Sequence, residues 1–371
     1  MLRVLSPTLL MITAAYLPCA VSSSVAGAGS STAPAKEVPP ATIAKLVADG
    51  GKTKPAWWDQ TTLNYPQTLD LTWAPAKGGW NASTQVGVWM WDVINPNPKR
   101  WQEGTKFLHF VVSNAKQKKL PEAERNAILG LGHCYGDLLQ DWPRAVYWYQ
   151  QADAQYGKSD ERTIDTANAY WRMGNKTLAQ QTVKPLNQDT TRHGCLIKFH
   201  ADLGNYQFAY QLGQAKASNN EDIGWFMCGY TAQLEGSWAK ALDYFKKSAA
   251  SNQNRSGRDW KQTTTRATAA VEAITLFEAL DLKKVTDGVY RDVSTGYVGP
   301  IEVEVTVAAK KITSVKVTNH HEKQFYSAFV EIPAKVLAKQ HVKGVDATLG
   351  ATITSEAVVY ASAKALKQGQ R

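Results

Sequence analysis

Four short phrases of similar sequence recur through the middle of the chain, and this repetition constrains its fold more than any other feature. The phrases occupy residues 140–145, 174–179, 204–209 and 236–241. Each begins at a glycine or a polar residue and ends in an alanine, and the four final alanines are 34, 30 and 32 residues apart. A period of this length indicates stacked helical hairpins, none of which can bury its apolar face alone.

These phrases resemble the turn and second helix of the tetratricopeptide repeat. The glycine or polar residue would make the turn, and the alanine would let the second helix pack closely on the first. A large side chain follows the alanine by four positions as Tyr149, Val183 and Phe245, whereas the third repeat has Gly213 there. The resemblance implies a helical solenoid over residues 121–282 that docks a partner protein.

Residues 1–26 have the pattern of an export signal. Arg3 is followed by an apolar stretch over residues 9–20, which is too short for a comfortable membrane span, and residues 24–26 fit a cleavage site. Cys19 leaves a lipid anchor open, although a proline precedes it where a small residue is usual. We expect export to the periplasm or the medium, with membrane association open and no membrane-spanning helix.

Two further segments precede the repeats. Residues 27–56 are rich in Ala, Ser, Pro, Gly and Lys and are expected to form a flexible linker. Residues 57–120 form a Trp-rich N-terminal region with seven tryptophans. Such aromatic residues more often fill a small core, because each buries a large area, and the alternative is exposed rings that bind a cell-envelope glycan.

Charge and cysteine content argue against several functions. The formal net charge is +10, but lysines and arginines are scattered and no nucleic-acid module accompanies them, so we expect a solvated basic surface and no nucleic-acid partner. The cysteines after the signal, Cys134, Cys195 and Cys228, lack the spacing of a disulfide framework, a haem attachment or an iron–sulfur site. The histidines have no second ligand at helical spacing, and we assign no metal site.

The pattern changes from helical to alternating after the repeats. Two alternating apolar runs, residues 301–307 and 312–317, are separated by a short polar break and predict a β-hairpin. Residues 326–340 are expected to be helical, with Pro333 starting or kinking the helix. A last helix is expected to follow Ser355 and to run to about Leu366.

The start of this last helix carries the most informative residues. Gly350 and Ala351 are small enough to let a phosphate approach the backbone, and the free N–H groups and dipole of a helix start favour an anion. Thr354 or Ser355 is expected to cap the helix, which would leave Thr352 pointing outward. On these residues alone, an ordinary capped helix is the commoner meaning of the pattern.

Residues 346–352 resemble the flavinylation motif of the FMN-binding domain family, usually written Asp-x-x-Ser/Thr-Gly-Ala-Thr. Asp346, Gly350, Ala351 and Thr352 occupy its defining positions, and Leu349 stands where Ser or Thr is usual. That family includes the flavin-carrying subunits of the sodium-pumping NADH:quinone oxidoreductase and of the Rnf complex. Its final threonine receives FMN as a phosphoester from a dedicated FAD:protein FMN transferase, which implies the same modification of Thr352.

The preceding segment is similar to the family as well, so the resemblance spans residues 285–371. Gly296, Tyr297 and Gly299 match its opening strands and are expected either to shape the pocket of the flavin ring or simply to make a turn. Residues 320–322, His-His-Glu, lie where family members often have His-x-Glu before a helix.

Together these features predict a multidomain protein, in which an α-helical tetratricopeptide-like solenoid precedes a small α+β FMN-binding domain. The resemblance implies an exported electron carrier or subunit of a redox system, rather than a stand-alone enzyme, with FMN attached covalently to Thr352. The other residues expected around the cofactor are Asp346, Gly350, Ala351, Thr354, Ser355, Gly296, Tyr297 and Gly299. Its expected partners are the transferase and a redox protein bound by the repeats. The alternative is a repeat scaffold for protein assembly whose C-terminal domain carries no flavin.

Overall fold

The computed structural model describes residues 37–74, 79–188, 194–218, 222–251, 258–323, 327–348 and 351–371. The described chain divides into two compact units, which meet in sequence between Gln188 and Asp189, inside the predicted repeat region. The predicted export signal, Leu349 and Gly350 lie outside the described residues.

The first unit is built from α-helices joined by loops. Its helices are α1 Pro40–Lys52, α2 Val86–Trp89, α3 Trp101–Lys118, α4 Pro121–His133, α5 Trp142–Tyr156, α6 Asp160–Arg172 and α7 Lys176–Val183. One turn of π-helix extends α2 at Met90–Ile94 and another extends α4 at Cys134–Leu138, and 3-10 turns lie at Pro98–Arg100 and Lys184–Gln188.

Helix α1 falls inside the range that we expected to be a flexible linker, and that expectation is wrong for residues 40–52. Ile43 and Val47 are one helical turn apart, and both are buried against Val146 and Ala169. The composition of the segment, rich in small residues, conceals this two-residue apolar stripe. A segment with so short an apolar stripe forms a helix because a core is present for the stripe to pack on.

Two of the seven tryptophans of residues 57–120 lie in the core of the first unit. Trp89 and Trp101 are buried, and the indole N–H of Trp101 donates to the backbone oxygen of Asn95 at 3.0 Å. Trp80 is exposed, and the other four of the seven are half-buried. The core interpretation is therefore confirmed for the two buried rings.

The second unit continues the helical series and adds a sheet. Its helices are α8 Gly194–Asp202, α9 Tyr206–Ser218, α10 Asp222–Glu235, α11 Trp238–Ala249, α12 Arg258–Ala279, α13 Ala328–Lys339 and α14 Thr352–Gly369. A 3-10 turn at Leu282–Lys284 precedes the strands β1 Gly288–Thr295, β2 Pro300–Ala308 and β3 Lys311–Asn319.

Each of the four repeated phrases forms the turn of a helical hairpin, so the predicted hairpins are confirmed. The pairs are α4 with α5, α6 with α7, α8 with α9, and α10 with α11. Gly174, Gly204 and Gly236 have φ values of 90°, 79° and 82° in three of these turns, a conformation that favours glycine. The alanine that ends each phrase is fully buried.

The sheet is antiparallel, with the strands in chain order. Alternate residues of β2, from Ile301 to Val307, are buried on one face, as the predicted hairpin requires. Helix α14 packs on β1 and β2, helix α13 packs on β3, and α12 also contacts α14. Pro333 lies inside α13. The predicted fold class, helical hairpins followed by a small α+β domain, is confirmed.

Candidate functional site

Thr352 is the first residue of α14, which therefore begins four residues earlier than predicted. Only 3% of Thr352 is exposed, and its hydroxyl oxygen Oγ1 is buried with no hydrogen-bond partner in the described part of the chain. The prediction that Thr352 points outward is therefore wrong. A buried hydroxyl without a partner is costly in a native structure and calls for an explanation.

The predicted cap by Thr354 or Ser355 is also wrong. Ala351 holds the N-cap position and makes no side-chain cap, because both hydroxyl residues lie within the first helical turn. Ser355 Oγ instead accepts a hydrogen bond of 2.9 Å from the backbone N–H of Thr348. Thr348 Oγ1 in turn donates to Glu331 of α13 at 2.9 Å. These bonds fasten the loop before α14 to both neighbouring helices.

Thr354 is held by a buried carboxylate that links two parts of the domain. Its hydroxyl donates to Glu322 Oε2 at 2.6 Å, and Glu322 Oε1 accepts from the backbone N–H of Val298 at 2.7 Å. Only 2% of Glu322 is exposed. Glu322 thus ties the β1–β2 turn to the first turn of α14. The resemblance to the family singled out residues 320–322. It did not indicate that Glu322 links the β1–β2 turn to α14.

Residues 296–299 form the tight turn between β1 and β2, closed by a 2.8 Å hydrogen bond from the Gly296 N–H to the Gly299 oxygen. A Cβ on Gly296 would lie 2.7 Å from Glu322 Oε1 and 2.7 Å from Ile301 Cδ1, so only glycine fits there. Gly299 has room for a side chain, and Tyr297 is half-buried. The expectation of a turn is confirmed, and the contribution of these residues to a ring pocket stays a prediction.

Asp346 and Ala351, the other motif residues in the described chain, are both buried. The Asp346 carboxylate accepts from the backbone N–H of Ala347 at 2.9 Å, and its backbone oxygen accepts from Lys335 Nζ at 3.1 Å. Asp346 lies in the loop that leads into α14, and Ala351 and Thr352 stand at the start of that helix.

A buried group of charges lies near Asp346 on helices α8 and α10. Lys198 Nζ is 2.5 Å from Asp202 Oδ2 and 2.9 Å from the Tyr230 hydroxyl, which donates to Asp202 Oδ1 at 3.0 Å. The pKa of Asp202 is raised to about 7. Burial is the main cause, the opposing effect of Lys198 is next in size, and the charge of Asp346 adds to the rise. Lys198 and Asp202 are one helical turn apart on α8, but Tyr230 lies on α10, and no local pattern in the sequence links it to them.

These residues fit a flavin phosphate ester. The free hydroxyl of Thr352 offers the oxygen for the ester, and the first N–H groups of an 18-residue helix favour an anion beside it. Gly296 lets the β1–β2 turn pack directly against Glu322 and Ile301, where a Cβ would clash. Thr352 would hold the phosphate, and the neighbouring turn is positioned by Glu322.

Within the ranges that the structure describes, no three His, Cys, Asp or Glu side chains lie close enough together to hold a metal ion. None of the described helices combines the length and apolar character that crossing a membrane requires.

Comparison with known proteins identifies the C-terminal part of the chain. Residues 296–367 match the family model described as FMN-binding domain, within the longer range over which the sequence resembles that family. Every residue predicted to surround the cofactor lies inside the match, whereas the helical hairpins lie outside it, and their likeness to tetratricopeptide repeats stays a prediction. The comparisons with curated proteins and with solved structures gave no match. Residues 296–367 therefore form an FMN-binding domain in the C-terminal part of the chain.

Proposed function

We propose that this protein is an exported electron carrier, or a subunit of a redox system, whose FMN is esterified through phosphate to Thr352. The observation that carries this proposal is the buried Thr352 hydroxyl, which has no partner in the described chain and stands at the helix start of an FMN-binding domain. The bound flavin would accept and donate electrons, while the protein fixes its position and potential.

The attachment is a group transfer from FAD. The Thr352 oxygen bonds to the FMN phosphorus, the bond between the two phosphates of FAD breaks, AMP leaves with the bonding electron pair, and the hydroxyl proton goes to solvent. Because Thr352 is almost fully buried, this transfer requires the start of α14 to be open, during folding or by local unfolding. A FAD:protein FMN transferase is the partner that this chemistry needs.

Export and partner docking belong to the same proposal. The pattern of residues 1–26 supports export, and a tethered cofactor suits an exported protein because a dissociating one would be lost by dilution. The helical hairpins support docking of a redox protein, since stacked hairpins commonly offer an extended binding surface.

The first prediction concerns Thr352. We expect the protein coexpressed with the transferase to gain the mass of one FMN less one water, and its denatured band to fluoresce on a gel. Thr352→Ala should lose both signals, because no oxygen remains at this position to form the ester. Thr352→Ser keeps a hydroxyl and should regain them at least in part, and Thr313→Ala on the exposed side of β3 is a neutral control.

The same measurement separates the carrier from the alternative, a repeat scaffold with a flavin-free C-terminal domain. A scaffold would remain colourless and unmodified in the presence of active transferase. Fluorescence that persists in Thr352→Ala would instead place the flavin on another residue.

A further inference from the structure

The hydroxyl of Thr352 lies on the side of α14 that faces away from the glycine turn. Thr354 points to Glu322, and a residue two positions earlier lies about 200° around the helix axis from it. Glu356, four residues after Thr352, shares its face of α14. Whatever is attached to Thr352 therefore leaves the helix on the Glu356 side.

Helix α12 lies along this face of α14. Arg266 Nη2 is 3.1 Å from Glu356 Oε2, and Lys364 Nζ is 3.1 Å from Glu272, so two ion pairs join the helices. Only 12% of the Arg266 side chain and 11% of the Glu356 side chain are exposed. The guanidinium carbon of Arg266 lies 4.1 Å from the centroid of the Phe226 ring, which fixes its plane.

The Arg266–Glu356 pair leaves hydrogen-bonding groups unused. Arg266 Nε, Glu356 Oε1 and Thr352 Oγ1 are all buried and have no hydrogen-bond partner among the described residues. A buried ion pair is normally retained only when its remaining polar atoms are satisfied. Three unsatisfied atoms on adjoining side chains indicate that a polar ligand belongs beside them.

A phosphate ester on Thr352 supplies what this group lacks. Its oxygens are acceptors, and the planar guanidinium of arginine is well suited to donate to phosphate. Burial raises the pKa of Glu356 against the opposing effect of Arg266. The unused Nε of Arg266 remains to donate to a second anion.

We propose that Arg266 binds the flavin phosphate carried by Thr352, so that helix α12, outside the family-matched segment, completes the cofactor site. This inference rests on the proposed attachment of FMN to Thr352. It makes Arg266 a phosphate-binding residue that the FMN-binding domain match does not include.

A thermodynamic cycle tests the proposal. The unfolding equilibrium constant is measured by urea denaturation for the protein with and without flavin, obtained by expression with and without the transferase. Flavin attachment should lower the unfolding equilibrium constant by a certain factor. In Arg266→Gln that factor should be smaller by about tenfold or more, because one charge-assisted hydrogen bond is lost. The loss of the Glu356 contact affects both forms and cancels. Arg291→Gln, which breaks the exposed pair with Glu304, should leave the flavin effect unchanged.

An Arg266→Gln variant that loses equal stability in both forms would show that Arg266 only pairs with Glu356, and would overturn the proposal. If Arg266→Gln does not fold, Arg266→Lys can replace it, because lysine keeps the positive charge but lacks the planar guanidinium group. Its flavinylated form should show a shifted ³¹P resonance of the ester, and a resonance identical to that of the unsubstituted protein would refute the contact. An unmodified mass of the unsubstituted protein after coexpression would instead contradict the proposed function itself.

Discussion

Two threonines in the first turn of α14 have opposite surroundings. The Thr354 hydroxyl donates to the buried carboxylate of Glu322, whereas the Thr352 hydroxyl is buried without a partner among the described residues. The difference follows from helix geometry, because side chains two positions apart point to nearly opposite sides. The satisfied threonine therefore holds the helix start in place, and the unsatisfied one is available for chemistry.

The role of Thr354 predicts a stability effect. Thr354→Val keeps the shape of the side chain but leaves Glu322 Oε2 buried without its donor, so we expect a loss of about 1–3 kcal/mol in the free energy of unfolding. Thr354→Ser retains the hydroxyl and should lose much less. Urea denaturation of the two variants measures the difference, and a Thr354→Val protein as stable as the unsubstituted one would show that this bond is unimportant.

At the scale of residues, the sequence indicated where the motif lies, but not which hydrogen bonds its side chains make. Ala351 and Thr352 stand at the start of α14, and the role of the motif in holding the cofactor stays a prediction. The cap was wrong because capping depends on where the helix begins, and because Thr354 and Ser355 bond to residues 32 and 7 positions away. Partners that distant leave no local signal in the chain.

At the scale of elements, the hairpins and the β-hairpin could be predicted because each has a local period. The positive φ of the turn glycines and the buried alanines are properties of single phrases. Helix α1 and the contact between α12 and α14 could not be predicted in this way. Arg266 and Glu356 are 90 residues apart in sequence, and nothing local to either residue indicates their pairing.

The pairing of α8 with α10 predicts a dependence on pH. Asp202 has its pKa raised from 3.8 to about 7, so the folded protein holds a proton there that the unfolded chain releases at lower pH. The contribution of Asp202 to stability is therefore fully present below about pH 4 and is lost as the pH rises through 7. We expect the free energy of unfolding to fall over this range.

Asp202→Asn removes the titrating group from the contact with Lys198 and Tyr230. Urea denaturation from pH 5 to pH 8 should show a shallower fall in unfolding free energy for this variant than for the unsubstituted protein. Identical pH profiles would mean that Asp202 does not take up a proton on folding.

At the scale of the whole molecule, the FMN-binding domain is one part of a larger unit. The matched segment begins at residue 296, yet the compact unit that contains it also includes helices α8 to α12 and strand β1. Arg266, which is proposed to complete the cofactor site, lies on α12, outside the segment that matches the family.

The most direct test of the account is to locate the flavin in the chain. Trypsin releases residues 344–364 as one peptide, which contains the hydroxyl residues Thr348, Thr352, Thr354, Ser355, Tyr360 and Ser362. After coexpression with the transferase, tandem mass spectrometry should find this peptide carrying one FMN less one water, with fragment ions that assign it to Thr352. A flavin on one of the other five hydroxyls, or an unmodified peptide from protein exposed to active transferase, would contradict the central claim.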